Sequence, residues 1–254
     1  MPFFEQLLPE HLSTFSSLWL ILFAGITSAL TASLGVGGGV LLLAVMALVL
    51  PTAAIIPVHG LVQLGSNLNR ALMTLKDIDW KLLAAFAPGT ILGAGLASVF
   101  LVELPMHLLQ ITIASFILFL TWGPQVPAIG LGRLGTFFAA ATTTFISMFA
   151  GATGPLVAAF VKQQQRGDRY RTVANFAAAM SVQHLPKAFV FGMAGFVFAE
   201  WLGLIVLMIA SGALGTFLGL RLLNRLSNKN FGVVVNIILT LLALRLLWSA
   251  WVQF

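Results

Sequence analysis

The sequence predicts an all-α polytopic membrane protein made of two inverted-topology repeats, with about eight transmembrane helices plus or including short broken or re-entrant ones, up to ten segments in all. Three observations carry this reading. Of 254 residues 59% are hydrophobic and 8% charged, landmark residues recur in the two halves, and the loop charges reverse between them. The mean hydropathy of +1.03 belongs to a chain whose solvent is lipid. Lipid offers backbone N–H and C=O groups no partner, and the apolar runs lack the roughly ten-residue alternation of a β-barrel, so the spans are helices.

Residues 1–14, "MPFFEQLLPEHL" and the two that follow, form an amino-terminal lead-in with Glu5 and Glu10 and no basic residue, unlike a secretory signal. The first transmembrane repeat is placed at 15–124, with apolar segments near 15–34, 38–50, 57–74, 81–101 and 106–123. A cytoplasmic connector at 125–133 ends in Arg133. The second repeat, 134–254, restarts the pattern near 134–150, 155–163, 171–192, 200–220 and 230–251. Matching landmarks test the duplication. Gly35 and Gly38 precede Gly151 and Gly154 by 116 residues, Gln63 precedes Gln183 by 120, Trp80 precedes Trp201 by 121, and Gly93 precedes Gly215 by 122. A slowly drifting offset is what a duplicated unit leaves behind.

Charge orients the halves. In the second, "KQQQRGDRYR" brings together Lys162, Arg166, Arg169 and Arg171, and "RLLNRLSNK" brings together Arg221, Arg225 and Lys229. Both read as cytoplasmic, with Glu200 and no base in the loop between them. In the first half the pattern reverses: "PTAAIIP" is uncharged, "LKDIDWK" carries Lys76 and Lys81, and "VELPMH" has only Glu103. Corresponding loops therefore lie on opposite sides of the plasma (inner) membrane, with both termini outside. The net charge of +6 serves this orientation rather than nucleic-acid binding. Zero cysteines exclude disulfides and thiolate metal sites, and neither a metal nor a cofactor is expected.

Inverted repeats are a signature of secondary transporters, whose binding sites lie where short, Gly- or Pro-interrupted segments meet. Two such breaks stand at corresponding positions, "GVGGG" (Gly35, Gly37, Gly38, Gly39) and "GATGP" (Gly151, Thr153, Gly154, Pro155). Helix N-termini there would point unpaired N–H groups at an anion. The segment after each break is polar. His59, Gln63, Asn67 and Arg70 share one helical face with Ser66 beside them, and Asn175, Gln183, His184 and Lys187 recur in the second half, with Pro186 distorting the helix. All seven carboxylates (Glu5, Glu10, Asp77, Asp79, Glu103, Asp168 and Glu200) fall in loops or at segment ends. An interior with Arg70 and Lys187 and no acid favours a small anionic substrate. His59 and His184 are candidates for proton coupling, and Arg70 for a charge partner or an interface residue. His11 and His107 read as interface residues, and Arg245 as a partner of a neighbouring helix or the outer interface.

"GITSALTASLGVGGGVLLLAVM", residues 25–46, resembles the opening signature of the sulfite and sulfonate exporter family called TauE/SafE, or TSUP. "FAGATGPLVAAFV", residues 149–161, resembles that family's second repeat. The similarity runs from about residue 15 to 250. It implies transport of sulfite, sulfoacetate or related sulfonates, other organic anions such as carboxylates being the alternative. Two departures bear on the substrate: no Pro stands within a few residues after the glycine run, in "GVGGGVLLLAVM", and His59, Gln63 and Asn67 stand in the following helix where the family has a Thr-Ser pair.

The competing readings are an anion channel with the same helix-terminus chemistry, an intramembrane hydrolase using Thr153 and His184, and a purely structural role. No catalytic residue is assigned, because a hydrolase leaves the inverted repeat unexplained. A homodimer is compatible with the chain.

Overall fold

The computed structural model describes residues 7–100, 104–124, 132–165, 168–223 and 228–252. Ten α-helices occupy them, and no strand occurs among the described residues. They are α1 (Thr14–Leu34), α2 (Gly38–Val49), α3 (Thr52–Met73), α4 (Trp80–Val99), α5 (Met106–Trp122), α6 (Arg133–Ala150), α7 (Gly154–Gln164), α8 (Arg169–Met193), α9 (Leu202–Leu222) and α10 (Asn228–Val252), with single 3-10 turns at Leu75–Asp77 and Phe198–Trp201. Most of the connector, together with Glu5, Glu103, Arg166, Arg225 and the side chain of Lys229, lies outside the described residues.

Each apolar segment expected from the sequence is a helix with ends within two residues, except α3. It starts at Thr52 rather than 57, because Pro51 holds the N-cap position in extended backbone (φ −62°, ψ 149°). Pro57 lies inside the helix, where it withholds the N–H that the carbonyl of Ala53 would otherwise accept. Three helices, α1, α4 and α8, are capped by polar side chains. Ser13 accepts from Ser16 N, Asp79 from Lys81 N and Leu82 N, and Asp168 from Arg171 N.

Among the described residues, four helical stretches are long and apolar enough by themselves to cross a membrane: Thr14–Leu34, Trp80–Val99, Phe198–Leu222 and Gly232–Val252. Helices α2 and α7, with 12 and 11 residues, would reach only about 18 Å of a core about 30 Å thick. Helices α3 and α8 are long, but their polar stripes dilute their hydropathy. The surface is inverted relative to a water-soluble protein. Ile91, Val99, Leu214, Leu241 and Trp251 are exposed, while Asn67, Arg70, Gln183 and Lys187 are buried.

The most extensive helix pairings join one half to the other: α1 with α9, α4 with α6, α3 with α8 and α5 with α10. Small residues allow two of these crossings. A Cβ on Gly215 would strike the carbonyl oxygen of Gly25, and one on Gly93 would strike that of Ala141. Gly25 and Ala141 stand at the 116-residue offset, and Gly93 and Gly215 at the 122-residue offset, so the crossings join corresponding positions.

The two ends of the bundle differ. At one, Asn175 accepts from Asp79 N (2.7 Å) and donates to Asp77 O (3.1 Å), while Arg169 donates to Ser33 O (3.3 Å). Lys76, Lys81, Arg133, Lys162 and Arg171 belong to this end by chain order. The other end opens into a vestibule of about 1110 Å³ between the end of α2, the starts of α3 and α5, and the ends of α6, α8 and α10. His11 and Glu200 line it, and among the described residues no Lys or Arg does.

Candidate functional site

The breaks are built by residues that cannot continue a helix. At the first, Gly35 caps α1 in left-handed backbone (φ 92°) and Gly37 (φ 107°) turns the chain into α2. Gly38 is pressed so closely onto α1 that a Cβ would overlap the carbonyl oxygen of Thr27. At the second, Gly151 (φ 81°) ends α6 against the methyl groups of Leu43, and Pro155 starts α7, where its missing N–H costs nothing.

One long polar helix holds each break. From α3, the His59 Nε2 lies 2.9 Å from Gly39 O. The Gln63 amide lies one turn on, so that a Cβ on Gly39 would sit 3.2 Å from its Oε1. Asn67 Nδ2 donates to Gln63 O (2.8 Å) and Gln63 Oε1 (3.2 Å), and Arg70 Nη1 donates to Asn67 Oδ1 (3.1 Å). From α8, Gln183 Nε2 donates to Thr153 Oγ1 (2.5 Å) and Thr143 O (3.3 Å), and Lys187 Nζ donates to Gly151 O (2.6 Å). Gly151 terminates α6, so its carbonyl stands at the negative end of the helix dipole, a favourable seat for an ammonium.

Between the breaks lies a cavity of about 20 Å³, walled by Gly37 and Gly39, by His59, Gln63 and Asn67, by Ala152, Gly154 and Pro155, and by Phe176, Met180 and His184. That volume holds about one water. The rings of His59 and His184 meet edge-on with centroids 6.1 Å apart. Among the described residues the Nδ1 atoms of both rings are buried without a hydrogen-bond partner, as are Arg70 Nε and Gln183 Oε1.

The sequence-selected residues thus fall into two groups. Gly37, Gly39, His59, Gln63, Asn67, Gly154 and His184 wall the cavity, whereas Gly35, Gly38, Gly151, Thr153, Gln183, Lys187 and Arg70 stand behind that wall and hold it. Asn175 belongs to neither, since it ties α8 to the loop before α4. Thr153 bonds to Gln183 rather than to His184, so the nucleophile and base of the hydrolase reading are not paired. The cavity also uses Thr31, Phe176 and Met180, which the sequence reading passed over. Thr31 stands one turn before Gly35, a signal that was available; the other two are ordinary apolar helix residues.

No group of three or more His, Asp or Glu side chains able to hold a metal occurs among the described residues. Two helix breaks and two buried imidazoles meet at a small polar cavity with two buried cations behind its wall, inside an apolar-surfaced helical bundle of the kind membrane proteins build. The family model described as "Sulfite exporter TauE/SafE" matches residues 20–246. The chain belongs to that family, one of membrane transporters rather than enzymes. Neither a curated protein nor a solved structure matches the chain.

Proposed function

We propose that the protein is a secondary transporter of small sulfur-containing anions, sulfite, sulfoacetate or related sulfonates, working by alternating access to the cavity between the two breaks. The observation that carries this reading is the meeting of both broken helices at one buried polar cavity whose surroundings contain two cations and, among the described residues, no carboxylate. The backbone N–H groups opening α2 and the amide of Gln63 face the anion, and Asn67, bonded to Gln63 Oε1, orients that amide. Gln183 and Lys187 shape the opposite wall through Thr153 and Gly151. His59 and His184, each with an unpartnered Nδ1, carry a proton with the substrate.

Reciprocal packing of α1 on α9 and α6 on α4 supports two inverted repeats, 15–124 and 134–254, that rock against each other. The cavity belongs to a closed state. On each of three elements one residue stands between cavity and vestibule: Leu43 between Val40 and Ala47 on α2, Gly151 between Met148 and Ala152, and Lys187 between His184 and Phe191 on α8. Leu43 packs on Gly151 and Lys187 bonds to it, so this layer is the gate toward the vestibule. The basic end is cytoplasmic and the vestibule faces outward, with both termini outside the plasma (inner) membrane.

Proteoliposome flux tests the reading. Sulfite efflux should saturate and be accelerated by sulfite on the opposite side, and Gln63→Ala should weaken it. Flux that stays linear with concentration and shows no counterflow would replace the transporter with an anion channel; flux of carboxylates alone would move the substrate class.

A further inference from the structure

The vestibule differs from the cavity in chemistry as well as in size. Its volume of about 1110 Å³ suits a small organic molecule, and the layer of Leu43, Gly151 and Lys187 lies between it and the cavity. Counting histidine as neutral, its lining among the described residues carries one charge, the carboxylate of Glu200; His11 is the other ionisable group. Helix dipoles do not reverse that sign. Helices α2, α6, α8 and α10 end around the vestibule and α1, α3, α5 and α9 begin around it, so their dipoles oppose one another and Glu200 decides.

One side of the wall is aromatic, and the fold fixes its rings. Gly195 (φ 94°) closes α8: Phe196 N donates to Phe191 O (3.0 Å) and Gly195 N to Gly192 O (3.1 Å), the bond pair of a Schellman turn. The turn folds Phe196 back onto the end of α8, and both Phe191 and Phe196 line the vestibule. The Phe198 ring meets the Phe196 ring edge-on, with centroids 4.8 Å apart, and holds its orientation. Trp201, next to Glu200 in the chain, also lines the vestibule and is otherwise packed into the core at 4% exposure. Faces of such rings attract a cation. Gln110 adds an acceptor to the lining: it is 3% exposed, and its Oε1 is buried with no hydrogen-bond partner among the described residues.

We propose that the vestibule is a binding site for an organic ammonium ion, its charged nitrogen beside Glu200 and its apolar substituent among Phe191, Phe196 and Trp201. Glu200 disfavours an anion in the same place. The site is therefore separate from the cavity, and it does not depend on which substrate the cavity takes.

Phenethylammonium and phenethyl alcohol share a ring and a chain and differ in the terminal group, an ammonium against a hydroxyl. Methylammonium keeps the charge and lacks the ring. Ligand-induced stabilisation of the full-length protein in detergent, at constant ionic strength, ranks the three. Phenethylammonium should stabilise saturably, and each of the others should bind at least about tenfold more weakly. Glu200→Gln should bring phenethylammonium down to the level of the alcohol, whereas Glu200→Asp should retain the preference. Glu200 is exposed, so neither exchange threatens the fold, and the melting temperatures without ligand check this. No stabilisation by phenethylammonium, equal binding of either analogue, or a preference that survives Glu200→Gln overturns the site. None of these outcomes bears on the sulfur anions, whose own test is sulfite flux.

Discussion

The two helix breaks occupy corresponding positions but are held in different ways. At the second, the supporting helix spends its polar groups on the break itself: both hydrogen bonds of Gln183 Nε2 go to Thr153 and Thr143, and Lys187 is seated on Gly151 O. At the first, only His59 grips the backbone, while Gln63, a residue of the cavity wall, has no hydrogen bond from its Nε2 among the described residues. In the proposed mechanism the tied break is the frame and gate, and the looser one supplies the open donor to the ligand.

Crowding gives the sharpest way to break the comparison. Gly38 and Gly154 open α2 and α7 at equivalent positions, yet a Cβ on Gly38 would overlap Thr27 O and the Thr31 hydroxyl, whereas one on Gly154 meets only Phe176 Cζ at 3.5 Å. Gly38→Ala should cost about 3 kcal/mol, because the obstacle is backbone that cannot step aside. Gly154→Ala should stay within about 0.5 kcal/mol of wild type. Thermal unfolding of the two purified variants makes the measurement. Comparable losses would mean that α2 and α7 are seated alike.

The glutamines come next, and here the readouts should exchange. Gln183→Ala removes two internal hydrogen bonds and should lower stability by about 1 to 2 kcal/mol. Gln63→Ala removes an open donor; it should weaken sulfite binding about tenfold while moving the melting temperature less than Gln183→Ala does. If Gln183→Ala loses sulfite binding with unchanged stability, the tied break contacts the ligand directly.

Why these breaks were legible, and much around them was not, follows from the range of the interactions. Glycine runs and Pro155 interrupt apolar segments locally, so the sequence alone located both. Polar residues at helical spacing in an apolar segment announced α3 and α8 as inward-facing, since lipid would penalise them. Arg70 was ambiguous, because a residue near a segment end can reach the interface or turn inward, and only the packing of α8 on α3 buries it. The start of α3 was missed because two prolines six residues apart each suit a helix entrance. The vestibule was invisible, being assembled from element ends far apart in the chain. Phe176 and Met180 gave no sign, since an apolar residue beside a cavity looks like one in a core.

The smallest difference tests the same asymmetry away from the ligand. Ser28 and Ser66 share a buried hydrogen bond of 2.7 Å between α1 and α3. At the 116- and 120-residue offsets their counterparts are Thr144 and Pro186, and proline has no side-chain hydroxyl to offer. The Thr144 hydroxyl is accordingly buried with no hydrogen-bond partner. Ser66→Ala should therefore cost about 0.6 kcal/mol, the average of interhelical hydrogen bonds in membranes. Thr144→Val, equal in shape, loses no bond and should be neutral or slightly stabilising. A destabilising Thr144→Val would mean that its hydroxyl has a partner in the membrane, a bound water or the carbonyl that Pro186 leaves without its donor at Val182, and that the second half replaces the lost serine rather than doing without it.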